Sequence, residues 1–543
     1  MKWEHMHTFI KQLKPGCVFP IYKSIPFKGE VNRYFRLLME RSKNPYHIML
    51  ESADSIPRYG ERSLGCVNPC LTVEGRGARF SIRALNKLGK RYIRSLQPDL
   101  GFCDKLTIQD DSIEGILMPV RHALDENTRL HQPNHTHLLR KICYKFTPTI
   151  KPISTYGGLF GAFAYDFIDQ FEELPPNKED WVNDPDYFFM LADHLFFVDH
   201  QTDLLHLVAN AYLSSEEAVD DTYDQCVMHI HHMEQAYYDS LDMQNESPIP
   251  SKPVSKKDRK TDCDKDSYMN MVEQCVERIK QGYAFQIVPS RTQVQPIQKA
   301  PWEIYKQLKH VNPSPYMFYM TLEDGYLIGA SPEMCIRVSD GELYGEKKVE
   351  IRPIAGTKPR GIINGTIDNE LDMRYELELR TDFKELAEHA MLIDLARNDV
   401  ARISIPGTRK VVEPLVVERY SHVQHLVSTV EGTLHPNLDA FHAYLATMNQ
   451  GTLTGAPKVE AMKILRQMEK TKRGFYGGAV GYFTHHGEVD STIVIRTLRI
   501  KDGLAYGRAG AGVVLDSNPE SEFLETERKI AACIQVVEGK QSI

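Results

Sequence analysis

DYFFMLADHLFFVD at positions 186–199 and LLHLVANAY at 204–212 decide the fold class. Both runs are largely apolar and are separated by His200-Gln201-Thr202-Asp203, so they predict a hairpin of buried strands. Working outward, YHIMLESA (46–53) and RFSIRAL (79–85) also read as strands, while NRYFRLLMERS (32–42) has helical spacing. Downstream, SYMNMVEQCVERIKQG (267–282) predicts an amphipathic helix stopped by Gly282, and AFQIVPSRTQVQ (284–295) a strand leaving it. Helices and strands alternate irregularly to the end, without a repeat of fixed period, so the expected class is α+β (mixed α/β).

One polar stretch divides the chain. MQNESPIPSKPVSKKDRKTDCDKD (243–266) holds three prolines and a run of charges with almost no apolar periodicity. The expected organisation is an N-terminal region over 1–242, a linker or exposed loop over 243–261, and a C-terminal catalytic region over 262–543.

Composition narrows the function classes. A chain of 543 residues with 42% hydrophobic residues needs no disulfide or structural metal to bury a core. Its ten cysteines are scattered and read as reduced thiols. No run approaches the roughly 20 apolar residues of a membrane span, and the N-terminus lacks a signal-peptide core; the expected compartment is the cytoplasm. A net charge of −8 speaks against nucleic-acid binding. An anionic ligand would meet few, placed cations.

Six stretches could carry chemistry. In TDFKELAEHAMLIDLARND (381–399), Phe383, Leu386, Ala390 and Ile393 have the spacing of a packed face, Asp382 with Glu385 has the form of a capping box, and Glu385 and Glu388 lie one turn apart. SNPESEFLETERKIAACI (517–534) repeats the pattern, with Asn518 as cap, Pro519 as first helical residue, and Glu522 and Glu525 one turn apart. Acids favour helix N-termini anyway; two such pairs could also meet around a hard divalent cation. DSTIVIRTLRI (490–500) reads as a buried strand with Arg496 on the face of Val494 and Leu498, paired either to a structural carboxylate or to a substrate carboxylate. In YGRAGAGVVLD (506–516), Gly510-Ala511-Gly512 is either a plain turn or a backbone surface for an anion. NQGTLTGAPKVEAMKILRQ (449–467) predicts a loop and helix capped by Thr452 or Thr454 with Pro457 in the first turn. In YSHVQHLVSTVEG (420–432), His425 shares a strand face with Val423 and Val427, as a core residue or a proton donor.

These strings, together with GASPE (329–333), RPIAGTKPRG (352–361), GTLTGAPK (451–458), GFYGGAVGY (474–482) and AGAGVV (509–514), stand in the order found in the chorismate-utilising enzymes. From about Asp262 onward the chain resembles the chorismate-binding catalytic domain shared by anthranilate synthase component I, aminodeoxychorismate synthase, isochorismate synthase and salicylate synthase. The resemblance implies a large β-sandwich-like core with flanking helices. It implies a Mg2+ shell of Glu385, Glu388, Glu522 and Glu525, with Glu388 and Glu525 foremost. It places Arg496 and Tyr476, with the backbone of Gly510, Ala511 and Gly512, on the enolpyruvyl carboxylate of chorismate. Gly356, Thr357 and Thr452 would line the ring, His425 would sit near the departing hydroxyl, and Glu333 would be the general acid.

Within the family, two positions favour ammonia and the ortho product. Ala355 stands where some aminodeoxychorismate synthases carry a nucleophilic lysine, and Gln286 stands where isochorismate and salicylate synthases carry a lysine that activates water. The implied activity is that of the anthranilate synthase large subunit, with ammonia delivered from glutamine by a separate amidotransferase subunit, as in a heterotetramer. MLESAD (49–54), with Leu50, Glu51 and Ser52, and NPSPYMFYM (312–320), with Asn312, Pro315, Tyr316 and Met317, resemble the family's site for L-tryptophan as inhibitor. The rival readings are aminodeoxychorismate synthase, isochorismate or salicylate synthase, and a catalytically silent tryptophan sensor.

Overall fold

A computed structural model describes residues 3–53, 62–118, 132–214, 218–243, 259–363, 365–420 and 423–538. Two large, mainly antiparallel sheets stack face to face, with helices over both outer surfaces. Strand order in the first sheet runs 260–261, 290–296, 504–510, 497–501, 325–331, 316–322, 47–51, 62–67, 194–199, 204–212, 17–26, 147–148. In the second it runs 354–359, 423–433, 347–351, 334–340, 489–493, 479–484, 158–163, 187–192, 71–76, 79–84, 112–116, 105–108, with 410–419 pairing off 423–433.

The expected mixed α/β sandwich is therefore present, built with both faces of each sheet covered. One apolar cluster, including Ile48, Leu64, Phe160, Phe188, Phe318 and Val480, fills the space between the sheets. A second packs the outer face of the first sheet against helices Val31–Glu40, Val219–Leu241, Pro301–Val311 and Pro519–Glu538. A third packs the other sheet against helices such as Lys87–Leu96, His135–Cys143 and Ala440–Thr447. Double coverage explains why Tyr187–Ala192 is buried at every position rather than at alternate ones. Each large apolar side chain so covered contributes roughly 1.5–3 kcal/mol.

Strands from both sides of the polar stretch occur in each sheet. The first sheet is joined by Tyr316–Leu322 against His47–Glu51, and the second by Ala479–Thr484 against Gly158–Phe163. Read outward from these central pairs, the halves mirror each other. In the first sheet 316–322, 325–331, 497–501, 504–510 corresponds to 47–51, 62–67, 194–199, 204–212; in the second, 479–484, 489–493, 334–340, 347–351 corresponds to 158–163, 187–192, 71–76, 79–84. The repeat lies in the connectivity, not in residue identities, so no sequence period announces it.

Three expected strands are broken. DYFFMLADHLFFVD turns at Asp193, leaving the second sheet after Ala192 and entering the first at His194; only its second half forms the expected hairpin with Leu204–Tyr212. DSTIVIRTLRI does the same, ending one strand at Ile493 and starting the next at Thr497, with Arg496 between them at φ +49°. A corner joining sheets must re-aim the chain, and that requirement overrides local β propensity. AFQIVPSRTQVQ divides into Gln286–Ile287 and Ser290–Pro296 around Pro289. Of the polar stretch, residues 244–258 lie outside the described residues; past them Lys260–Thr261 pairs with Gln293–Val294, and Asp264 caps helix Lys265–Lys280.

Candidate active site

Helix Phe383–Ala401 packs beside strands Ile354–Pro359 and Val423–Thr433. Asp382 caps it, accepting from the N–H groups of Lys384 and Glu385. Its buried face is His389, Leu392, Ala396 and Val400, not the expected Phe383–Leu386–Ala390–Ile393 stripe; Phe383 is 88% exposed. The true stripe follows the 3–4 spacing of the following residues, rotating Glu385 and Glu388 toward the inter-helix cleft.

Glu388 Oε1 accepts a hydrogen bond from Gln286 Nε2 at 2.9 Å. A Cβ at Gly512 would stand 2.6 Å from that amide nitrogen and 3.5 Å from Glu388 Oε1, so only glycine fits there. Gly356, the extra residue of a register shift between Ala355 and Thr357, has φ +77°, and a Cβ on it would lie 3.1 Å from Glu385 Oε2. The second acidic helix, Pro519–Glu538, is capped as expected by Asn518, which accepts from the Ser521 N–H at 3.0 Å. Burial raises the pKa of Glu385, Glu388 and Glu522, and Glu525 adds to each shift by repulsion. Glu525 is the exception: burial pushes it up, but Lys529, 2.7 Å away, pulls it below its usual value.

The four carboxylates thus share one field without closing on each other; among the described residues they form no group of three with ligand oxygens within 4.8 Å. An all-oxygen set this open suits a hard cation such as Mg2+, which completes its shell with water and ligand oxygens.

Lys529 was overlooked in the sequence, although its i+4 spacing from Glu525 is visible in ETERK. Its side chain is 43% exposed and its Nζ also donates to the Gly510 carbonyl at 3.2 Å. Tyr476 lies across Gly510, its hydroxyl 3.2 Å from where a Cβ would stand. Arg473 and Arg508 approach the Tyr476 ring at 5.8 and 6.0 Å, and buried Glu469 ties both arginines together. Of the Gly510-Ala511-Gly512 backbone, the Ala511 N–H is already taken by the Pro289 carbonyl at 3.3 Å.

On the other wall, Thr357 Oγ1 and His425 Nδ1 are 3.0 Å apart, and Nδ1 is 3.3 Å from the Gly356 carbonyl. Burial, then the nearby Arg496 charge, lowers the His425 pKa to about 4, so the ring is neutral at physiological pH. Glu333 occupies the corner where strand Gly325–Ser331 of the first sheet passes into Met334–Asp340 of the second. Burial raises its pKa to about 7 against the opposing pull of Thr452, Lys529 and Arg496. Arg496, from the neighbouring corner, makes no hydrogen bond or ion pair with another described side chain, and burial lowers its pKa. Thr452 does not cap a helix: Pro457 holds the N-cap position of Lys458–Met468, and the Thr454 hydroxyl instead donates to the Asn449 carbonyl. A four-residue turn, Gly451–Thr454, intervenes and carries Thr452 to Glu333.

Two buried polar atoms here lack a hydrogen-bond partner, Gln286 Oε1 and His425 Nε2, while the Thr452 hydroxyl faces Glu333. Buried polar atoms are normally satisfied. Together with Arg496 they leave polar groups in this cleft that a bound ligand could meet.

A separate cavity of about 570 Å³ opens between the sheets, lined from one side by Leu50, Glu51, Ser52, Pro315, Tyr316 and Met317, and from the other by Arg337, Val480, Tyr482 and Asp490. Tyr316 donates to Asp490 at 3.1 Å and accepts from Arg337 at 3.2 Å. Two expectations for this wall change. The Glu51 carboxylate is bound by Lys309 at 2.6 Å and by Tyr305, because alternation along His47–Glu51 turns it to the helix-covered face. Asn312 ends helix Pro301–Val311 and does not line the cavity.

A family model described as chorismate binding enzyme matches residues 104–535. The chain is 39% identical over 522 residues to anthranilate synthase component 1 of Haemophilus influenzae, covering 94% of this chain and 96% of that protein. It is 40% identical over 501 residues to anthranilate synthase component 1 of Salmonella typhimurium, covering 91% and 92%. Among solved structures, anthranilate synthase component I from Streptococcus pneumoniae matches with a TM-score of 0.68 at 28% identity, over 88% of this chain and 93% of that one. The menaquinone-specific isochorismate synthase of Escherichia coli shares the fold, with a TM-score of 0.59 at 17% identity over 98% of each chain.

Proposed function

The chain belongs to the chorismate-binding enzyme family, and from that premise we propose that it is the chorismate-converting component of an anthranilate synthase, taking chorismate and ammonia to anthranilate, pyruvate and water. The observation that carries this reading is Arg496, a half-buried guanidinium that makes no hydrogen bond or ion pair with another described side chain, set near the unpaired Nε2 of His425 and opposite a cluster of glutamates. Chorismate carries two carboxylates and a ring hydroxyl, which match a cation at one end, an acidic cluster able to share a metal at the other, and a protonated acid between them.

Arg496 and Tyr476 hold the enolpyruvyl carboxylate, with Lys529 adding positive charge beside Gly510. Thr452, Gly356 and Thr357 line the ring, and neutral His425 turns Nε2 toward its hydroxyl. Glu333, protonated near neutrality, gives its proton to that hydroxyl, which leaves as water while ammonia forms the new C–N bond. Mg2+, held by Glu388 and Glu525 with Glu385 and Glu522 behind them, would neutralise the ring carboxylate and draw electron density out of the ring. Loss of a ring proton and cleavage of the enolpyruvyl C–O bond then release pyruvate, and aromatisation drives that step.

Ala355 has no nucleophile for a covalent para-directed route, and Gln286 has no basic lone pair to activate water. Both speak for direct use of ammonia. A separate glutamine amidotransferase supplies it, which accords with relatives named as component 1. Tryptophan occupies the cavity between the sheets and closes the pathway by feedback. Among the described residues no helix is long and apolar enough to cross a membrane, and we place the enzyme in the cytoplasm.

The test is the purified chain with chorismate, Mg2+ and ammonium at alkaline pH, followed by anthranilate fluorescence with and without tryptophan. Metal-dependent anthranilate that tryptophan suppresses supports catalysis and regulation together. Isochorismate, 4-amino-4-deoxychorismate or no product would overturn the ammonia assignment.

A further inference from the structure

Each half of the chain has a corner where a strand leaves the second sheet and the next enters the first. In the second half that corner is Ile495–Arg496, part of the site above; its counterpart by strand order is Asp193. The helices that follow correspond too: Pro519–Glu538 brings Glu522, Glu525 and Lys529 to one corner, and Val219–Leu241 brings His229 to the other.

The chemistry at the first corner is different. Asp193, His194 and His229 each offer one donor atom, and these atoms lie within 4.8 Å of one another; no other three His, Cys, Asp or Glu side chains among the described residues do so. Asp193 Oδ2 is 3.1 Å from His194 Nδ1, and the two imidazoles stack with centroids 4.4 Å apart. Asp193 is 3% exposed, and its Oδ1 has no N–H or O–H donor, only the weak Cys70 thiol near its carboxylate. A buried carboxylate so weakly satisfied keeps lone pairs for a cation. Three buried thiols, Cys66, Cys70 and Cys226, feel the Asp193 charge, and Cys226 sits one turn before His229 on the same helix.

We propose that Asp193, His194 and His229 form a transition-metal site of the zinc class, with two imidazoles and one carboxylate as ligands and a fourth position for water. Two nitrogens and one oxygen suit zinc and its neighbours, whereas the all-carboxylate cluster at the other corner suits Mg2+. Partly exposed His229 provides the path of entry. Bound metal ties helix Val219–Leu241 to the sheet corner.

The test uses the full chain, stripped with chelator and kept in excess Mg2+ to occupy the glutamates. Titration with Zn2+ is expected to bind one ion per chain and raise Tm, and Co2+ is expected to give the strong visible bands of a four-coordinate nitrogen site. His229→Gln, at a partly exposed helix position that leaves the fold intact, is expected to weaken Zn2+ by about tenfold or more, and Asp193→Asn to do the same. Zn2+ affinity unchanged in His229→Gln overturns the site. So does a faint six-coordinate Co2+ spectrum that persists in His229→Gln and disappears in Glu388→Gln.

Discussion

Gln286 gives its amide nitrogen to Glu388 at 2.9 Å and keeps its carbonyl oxygen buried and unpaired. One side chain therefore holds a carboxylate of the proposed metal cluster with its donor and offers the site an unpaired acceptor. Ammonia has N–H groups for such an acceptor, and it needs no base to become a nucleophile. Gln286→Lys replaces the neutral amide with a group that can deprotonate water. The expected result is a fall of about 10²-fold in ammonium-dependent anthranilate formation, with chorismate consumed to a hydroxylated product when ammonium is omitted. Product chromatography with and without ammonium checks this; an unchanged ammonium requirement refutes it.

The glutamates make a prediction of opposite signs for stability and activity. Glu388 and Glu525 repel each other in a partly buried setting, where the Glu525 side chain is 37% exposed. Removing one charge relieves that repulsion, so Glu388→Gln is expected to raise the Tm of the metal-free chain at neutral pH. The same change is expected to raise the Mg2+ concentration needed for half-maximal activity by about tenfold or more, and to lower kcat at saturating metal. Differential scanning and metal-dependent kinetics on one preparation test both signs, and a variant less stable without metal contradicts the charge argument.

Much of this arrangement is visible along the chain, and the hidden part has a physical cause. The i, i+3 spacing of Glu385–Glu388 and Glu522–Glu525 puts each pair on one helix side. That the two pairs meet depends on helices more than a hundred residues apart packing on sheets whose order no local pattern encodes. Arg496 illustrates the same limit: its flanks have strand character, yet long-range pairing sends Val489–Ile493 to one sheet and Thr497–Lys501 to the other, leaving Arg496 at a corner. Phe383 misleads by being apolar while 88% exposed near the start of its helix. Glu51 misleads because its motif names a neighbour of the cavity, while alternation points its carboxylate to Lys309. Lys529 is legible four residues after Glu525, but i, i+4 spacing alone does not distinguish it from a solvated helix pair.

Glu333 predicts a pH dependence. Its folded pKa, about 7, lies above that of an exposed glutamate, so the native chain binds more protons than the unfolded chain between the two values. Stability of the free chain is therefore expected to fall as pH rises from the ordinary glutamate pKa toward 7, and activity normalised to free ammonia to fall as Glu333 loses its proton above about 7. His425, at about 4, stays neutral throughout and adds no limb near neutrality. Glu333→Gln is expected to flatten the stability slope and to lower kcat by about 10²-fold. A wild-type activity profile with no limb near 7, once corrected for ammonia, removes Glu333 as the acid.

The proposed tryptophan control is assigned to the cavity between the sheets, and its walls say how to separate it from catalysis. Leu50 and Val480 face each other's sheets across it, while Glu333, Arg496 and the glutamates do not line it. Leu50→Trp fills the space with an indole of the protein's own. The expected result is loss of tryptophan sensitivity by about tenfold or more, with kcat/KM for chorismate within about twofold of wild type, since one mismatched side chain in an apolar slot is worth about 1–3 kcal/mol. The wild-type chain supplies the companion measurement: if tryptophan weakens chorismate binding by a given factor, chorismate must weaken tryptophan binding by the same factor. Calorimetry of tryptophan binding with and without a chorismate analogue measures that factor directly. Equal tryptophan affinity in wild type and Leu50→Trp places the regulatory site elsewhere.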